Sequence, residues 1–350
     1  MSKEMTATLT PEQTEAAYIP RDEDFALDTS LDITMDRNFA SQGFWKGVFT
    51  RFFNNKRAVF GLAVIVIIIV LALIGPSINS YGYSDIQSVY DEETGKEVTA
   101  RSMPPHIPWL HKLVTGEEYD DPFADMTFIF GTDSMGRDLW TRVWYGARVS
   151  LLIAFVTIFI DMVIGMSYGL ISGYFGGIPD AVMQRFVEIA NSIPRLVIVG
   201  VLATFMPKGI FLVIVALLLT EWIGMSKIAR AEMLKVKGQE YIMASRTLGA
   251  SDTRIIFIDI LPNTIGPIIT QMMFSIPTAI FTEAFLSFVG VGIMLPQCSI
   301  GSLIEDGFNN ITTLPYQIVP PILVLAFLML GFNFVGDGLR EALAPRIEDM

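Results

Sequence analysis

An all-α membrane protein with six transmembrane helices is the fold class this sequence predicts, on three observations. Of its 350 residues, 52% are hydrophobic and 17% charged, where soluble domains carry about 25% charged residues. Residues 58–79 contain no Asp, Glu, Lys or Arg and are dense in Val, Ile and Leu, long enough to cross a bilayer. Further apolar stretches follow at 149–172, 189–206, 210–225, 265–291 and 318–335, each near the length a membrane helix requires. A net charge of −12 excludes a nucleic-acid surface, which needs a basic stripe. The single cysteine, Cys298, excludes an intramolecular disulfide framework.

Residues 1–50 hold nine acids and four basic residues without sustained periodicity, a composition that buries too little apolar surface to order itself. Residues 1–42 are therefore read as an acidic, disordered leader. From 43 to 57, Phe44, Trp45, Val48, Phe49, Phe52 and Phe53 recur at helical spacing among Lys46, Arg51, Lys56 and Arg57. This is the pattern of an amphipathic helix lying on a membrane face, or of the first turns of the helix that follows. The run at 58–79 starts too late and is too long for a signal-peptide core, so it is the first membrane helix. The insert at 80–148, with twelve acids and six basic residues, is expected to form a small extramembrane element. His106 and His111 within it are read as surface residues, because zinc needs three or four ligands. No metal site is expected.

In the core at 149–346, Gly165, Gly169, Gly173 and Gly177 form a stripe at four-residue steps that lets another helix backbone approach closely. Pro267 and Pro277 predict a broken backbone in the fifth helix, suited to a moving or cavity-lining element. Pro320 and Pro321 open the sixth, where missing donors matter least. Asp161, Glu221 and Glu283 are costly in hydrocarbon, so each should face a partner helix or a watery path. Asp161 and Glu283 are read as packing or pairing groups, and Glu221 as lying near the cytoplasmic end and pairing with a nearby Arg or Lys. Arg195 is read as a cation reaching the inner face, with a position on the translocation path as the alternative. Placing the N-terminus inside assigns 17 Lys and Arg to the cytoplasm and 7 to the outside, so both termini are expected in the cytoplasm.

None of the nine lysines is followed by Ser or Thr, so the chain lacks the end of a phosphate-binding loop. It has no HExxH and no CxxC, and its one Gly-x-Ser-x-Gly match, Gly165 to Gly169, falls inside an apolar stretch and not at the strand-to-helix turn a hydrolase nucleophile needs, so no catalytic residue is expected. The informative stretch is 227–262, patterned as helix, glycine, helix. Residues 240–248 make about two and a half helical turns, Gly249 is placed to end them in the left-handed conformation, and Ser251 or Asp252 caps the next helix, which Pro262 closes.

Here the sequence resembles the permease subunits of binding-protein-dependent ABC importers, whose cytoplasmic signature is Glu-Ala-Ala, three residues, Gly, nine residues, Ile-x-Leu-Pro. Met243, Ala244, Ser245, Gly249, Leu261 and Pro262 keep that spacing, with Met243, Ser245 and Asp259 departing in residue type. The runs Gly131-Thr132-Asp133-Ser134-Met135-Gly136-Arg137-Asp138, Tyr145-Gly146-Ala147-Arg148, Phe285-Leu286-Ser287-Phe288-Val289-Gly290 and the segment from Asn333 to Arg346 are similar to the C-type permease of the dipeptide/oligopeptide/nickel group. The resemblance covers 44–346, with Ile300 and Ala344 as departures.

The resemblance implies the type I ABC importer permease fold, with this chain as half of a translocation pore in the plasma membrane of a prokaryote. It implies as partners a second permease subunit, two cytoplasmic ABC ATPases that bind ATP and Mg, and an extracellular peptide-binding protein. The chain itself would hold no cofactor and would not be an enzyme on its own. Glu240, Tyr241, Ala244, Arg246, Gly249, Ala250 and Ser251 would form the coupling helix and turn that enter an ATPase groove. The aromatic and acidic residues of the insert would dock the binding protein, cover the outer mouth or simply be solvated. The expected function is import of oligopeptides or dipeptides by alternating access. Nickel or another small solute, an ATP-independent secondary transporter and a membrane scaffold are the alternatives.

Overall fold

The computed structural model describes residues 44–91, 95–116, 119 and 121–344. The expected leader at 1–42, the Pro345-Arg346 end of the last motif and the tail at 347–350 lie outside the described residues. The first helix, α1 (Phe44–Asn54), buries Val48 and Phe52 and leaves Trp45, Phe49 and Phe53 exposed. It is separate from the membrane helix α2 (Lys56–Ile78): Asn55 breaks the run and caps α2 by accepting from the Arg57 and Ala58 amides. Along α2, Gly61 lies against the backbone of Gly331 in the last helix, α11 (Val319–Leu343), and Ala58 fills the space beside Gly338.

The insert folds as a β-hairpin, β1 (Ser88–Asp91) and β2 (Lys96–Thr99), followed by the short α3 (Pro108–Thr115) around Ala100, Phe123 and Phe128. His106 is not on the surface as expected. It is 3% exposed, its Nε2 lies 3.1 Å from the Phe123 carbonyl oxygen, and its ring stacks on Tyr119. A bridge between His106 and Phe128 draws the residue into the core of the insert.

The next helix, α4 (Leu139–Phe175), starts well before the expected residue 149. Arg142 and Arg148 made that stretch look like loop. Arg142 is instead fully buried, with Nη1 2.8 Å from Asp133 and Nη2 3.5 Å from Asp306. Arg137 reaches the same Asp133 oxygen at 2.7 Å. Asp138 caps α4 at the Thr141 amide, 2.9 Å away. This clasp ties the segment before α4 to α10 (Ile300–Asn309).

A π-turn at Asp161–Met166 widens α4 without ending it. Three glycines of the expected stripe pack on α7 (Ile210–Val236). A methyl at Gly165 would lie 2.6 Å from the Trp222 carbonyl oxygen, one at Gly169 would strike Ser226, and one at Gly173 would lie 2.8 Å from Met233 Cβ. Gly177 does not join them: a methyl there would meet no described residue of another element within 4 Å, and with Gly176 it takes positive φ (57° and 63°) where α4 ends. Such backbone angles favour glycine and turn the chain.

The contacts of 165, 169 and 173 rise with those of 222, 226 and 230, so α4 and α7 run in the same direction. The segment between them must therefore recross the membrane. It does so as two pieces, α5 (Gly177–Ser192) and α6 (Arg195–Phe205), bent by 78°, where one straight helix over 189–206 was expected. Ile193 and Pro194 are both extended, at ψ 121° and 130°, because a proline lacks the amide donor and disfavours the helical region for its predecessor.

The loop expected over 227–262 narrows to the connection around α8 (Glu240–Thr247), since α7 continues to Val236 and α9 (Asp252–Phe288) starts before Pro262. Pro262 does not close a helix. It follows a π-turn at Ile255–Ile260 and sits in the first turn of the regular helix beyond it. Nor do Pro267 and Pro277 break α9, which runs through both; membrane helices absorb prolines when neighbours re-satisfy the freed backbone groups.

Candidate functional site: the α8 coupling segment and the intramembrane charges

The α8 segment is anchored by one side chain. Ile242 is 1% exposed and packs among Leu170 and Tyr174 of α4, Ala229 and Met233 of α7, and Ile255, Ile256 and Ile260 of α9. With Ile242 pointing inward, the rest of a two-turn helix faces outward: Glu240, Tyr241, Met243, Ala244 and Arg246 are all exposed. Gly249 takes φ 82° and ends the helix in the left-handed position expected of it. Ala250 is half-buried, and Ser251, exposed, caps α9 at the Arg254 amide.

Arg246 folds back toward the bundle. Its guanidinium lies 5.3 Å from the centre of the Tyr174 ring, a cation–π arrangement, and the Tyr174 hydroxyl donates to Asp252 at 2.6 Å. This bridge spans α4, α8 and α9, fixing the angle at which α8 leaves the membrane. Burial raises the Tyr241 phenol above its ordinary value, so the ring remains a neutral donor.

Sequence reasoning missed Ile242 as the anchor and missed Met243 and Leu248, which are 54% and 88% exposed. The signal was present as three apolar side chains in an otherwise polar stretch. Deciding which of them points inward required the packing. Together Tyr241, Met243, Ala244 and Leu248 give the segment an apolar outer face bordered by Glu240 and Arg246, a surface suited to burial in a groove.

The three membrane carboxylates have different surroundings. Glu283 is fully buried and accepts from Ser150 at 2.7 Å and Ser287 at 2.9 Å. Glu221 pairs with Arg195 Nη1 at 2.6 Å. It is not near an end of its helix: eleven residues past Ile210, it lies about 16 Å along α7 at 1.5 Å per residue. Arg195, at the bend between α5 and α6, shares that depth. Asp161 is 1% exposed in the π-turn, and neither carboxylate oxygen has a hydrogen-bond partner among the described residues.

Comparison with known proteins follows the same outline. Residues 165–349 match the family described as the binding-protein-dependent transport system inner membrane component, and residues 43–105 match the N-terminal TM domain of oligopeptide transport permease C. The chain is 39% identical to the oligopeptide transport system permease protein OppC of Bacillus subtilis, over 88% of this chain and 91% of that protein. It is 36% identical to the dipeptide transport system permease protein DppC of the same organism, over 88% and 87%. A solved structure of the MetNI methionine ABC transporter, inward facing, is 21% identical with a TM-score of 0.49, covering 58% of this chain and 97% of that one. Among the described residues α2, α4, the bent α5–α6 pair, α7, α9 and α11 make six crossings, with α8 presented between α7 and α9, and on the family match and these permease relatives the chain belongs to the family of binding-protein-dependent transport system inner membrane components.

Proposed function

We propose that this chain is one of two permease subunits of an ATP-driven importer of oligopeptides or dipeptides, lying in the cell membrane with both termini in the cytoplasm. The observation that carries the reading is α8, held to the bundle by Ile242 and showing Tyr241, Met243, Ala244 and Leu248 outward. Two cytoplasmic ATPases, which bind ATP and Mg, receive this segment and its symmetric counterpart in their grooves. A second permease completes the pathway, and an extracellular binding protein delivers the peptide. The peptide chemistry rests on the relatives named for oligopeptide and dipeptide transport.

Closure of the ATPase pair pushes on α8, and its buried contacts pass the motion to α4, α7 and α9 together. Glu240, Arg246, Gly249, Ala250 and Ser251 set the outline of that contact. Peptide uptake into vesicles holding the whole complex should require the partner permease, the binding protein and ATP on the α8 side, and should stop when the ATPases are inactivated. Uptake by this polypeptide alone on a proton or sodium gradient would overturn the reading and turn Asp161 and Glu283 from packing groups into ion sites.

A further inference from the structure

Arg195 is the first residue of α6, immediately after the 78° bend, and its side chain is 46% exposed while that of its partner Glu221 is 5% exposed. Its recorded polar contacts both involve Nη1: Glu221 Oε1 at 2.6 Å and Thr282 Oγ1 at 3.2 Å. Among the described residues Nε and Nη2 have no recorded partner, although a guanidinium carries five donors. A half-exposed guanidinium at this depth cannot face acyl chains without a large penalty. Its open side must face protein or water.

The neighbouring helix shows which. On α9, Thr278 and Thr282 lie one turn apart, which places them on one helical face, while Ser275 before them is buried. Thr278 is exposed and Thr282 half-buried. Both hydroxyls donate to carbonyls one turn back on their own helix, Phe274 and Thr278, which leaves their oxygens as acceptors toward the open side. A polar stripe beside an unsaturated guanidinium describes the wall of a wet cavity.

We infer that Arg195, steadied by Glu221 and Thr282, is a binding site on the translocation path for the carboxylate of the passing peptide. The inference rests on the peptide-permease reading and adds the chemistry of the wall. The free Nε–Nη2 edge presents two parallel N–H groups, the geometry that takes a carboxylate in a bidentate manner. Glu221 neutralises the cation between substrates. Every linear peptide carries one terminal carboxylate whatever its side chains, so this contact serves a pathway that passes many sequences.

The test uses the complete reconstituted complex with trialanine and Ala-Glu-Ala as probes. Arg195→Gln should keep the partner subunits bound and keep ATP hydrolysis stimulated by the binding protein, while trialanine uptake falls at least tenfold. Arg195→Lys should retain most uptake, and the double variant Arg195→Gln/Glu221→Gln should stay as low as Arg195→Gln. Loss confined to Ala-Glu-Ala would overturn the inference, since trialanine carries the same terminal carboxylate. Wild-type uptake by Arg195→Gln would overturn the inference, as would recovery in the double variant, which would make the pair structural. Loss of the partner permease or failure of Arg195→Gln to insert would also overturn it. Failure of the unmodified complex to take up either peptide would instead strike the permease reading itself.

Discussion

At Pro76 the first membrane helix has no amide to offer the Ala72 carbonyl one turn back, and Arg148 supplies the missing donors, Nε at 3.1 Å and Nη2 at 2.9 Å. Arg148→Met should leave that carbonyl unpaired and destabilise the folded chain by about 1–3 kcal/mol, measured as a lower melting temperature of the purified complex. Pro76→Ala restores an amide in the helix, so adding it to Arg148→Met should recover part of the loss. Equal loss in the single and double variants would show that Arg148 acts elsewhere. Cys298 is fully buried, with its thiol 3.5 Å from the Arg142 carbonyl oxygen, and burial pushes that thiol up to about 11. The thiolate is the reactive form, so N-ethylmaleimide at pH 8 should label Cys298 only after denaturation. Labelling of the native protein would mean that the clasp of Asp133, Arg142 and Asp306 opens in solution.

At the scale of elements, the α4–α7 contact and the α8 anchor depend on size in opposite senses. Gly169→Leu should prevent assembly, because the backbone at Ser226 occupies the space. Gly224→Ala on α7 meets nothing within 4 Å and should stabilise that helix by about 1 kcal/mol, the helix-propensity difference between the two residues. Yields of assembled complex after mild detergent extraction compare the two. Ile242→Ala removes the one buried side chain of α8 and should cost about 2–4 kcal/mol locally. Its α8 amides should exchange hydrogen faster, with membrane insertion and the α4–α7 contact unchanged and ATPase co-purification reduced. Unchanged exchange would show that the Arg246–Tyr174 bridge alone suffices to hold the segment.

For the whole molecule, the parallel run of α4 and α7 requires the bent α5–α6 pair to count as one crossing, which puts the insert and α8 on opposite sides of the membrane. A membrane-impermeant maleimide should reach a cysteine at Leu113, 75% exposed on α3, from outside intact cells. One at Lys235, near the end of α7, should react only after permeabilisation. The buried Cys298 gives little background in this assay. Reversed labelling would invert the charge-based orientation. That count included Arg195 among the inner residues, whereas the structure places it at membrane depth beside Glu221. All six apolar segments were legible, three of them despite an internal carboxylate, because a hydrophobic run of about 20 residues has few other uses in a chain, although the third is bent into two pieces.

The sequence by itself determined the class of the molecule, its membrane segments to within their ends, and the helix–glycine–helix pattern at 240–252, since these depend on local composition and on the backbone freedom of Gly249. It also identified Gly165, Gly169 and Gly173 as a packing face, because small residues one turn apart lie on one side of a helix whatever they meet. What only the tertiary structure decided was where the charges belong. Arg142 and Arg148 read as loop until Asp133, Asp306 and the free Ala72 carbonyl appeared beside them. Gly177 read as the fourth member of the stripe until the chain turned away at Gly176. Arg195 and Glu221 lie on different helices and become a pair only when the bend at Pro194 brings them to the same depth. Partners distant in sequence set the free energy of a buried charge, so a charge count assigns such residues to loops and the packed structure returns them to the core.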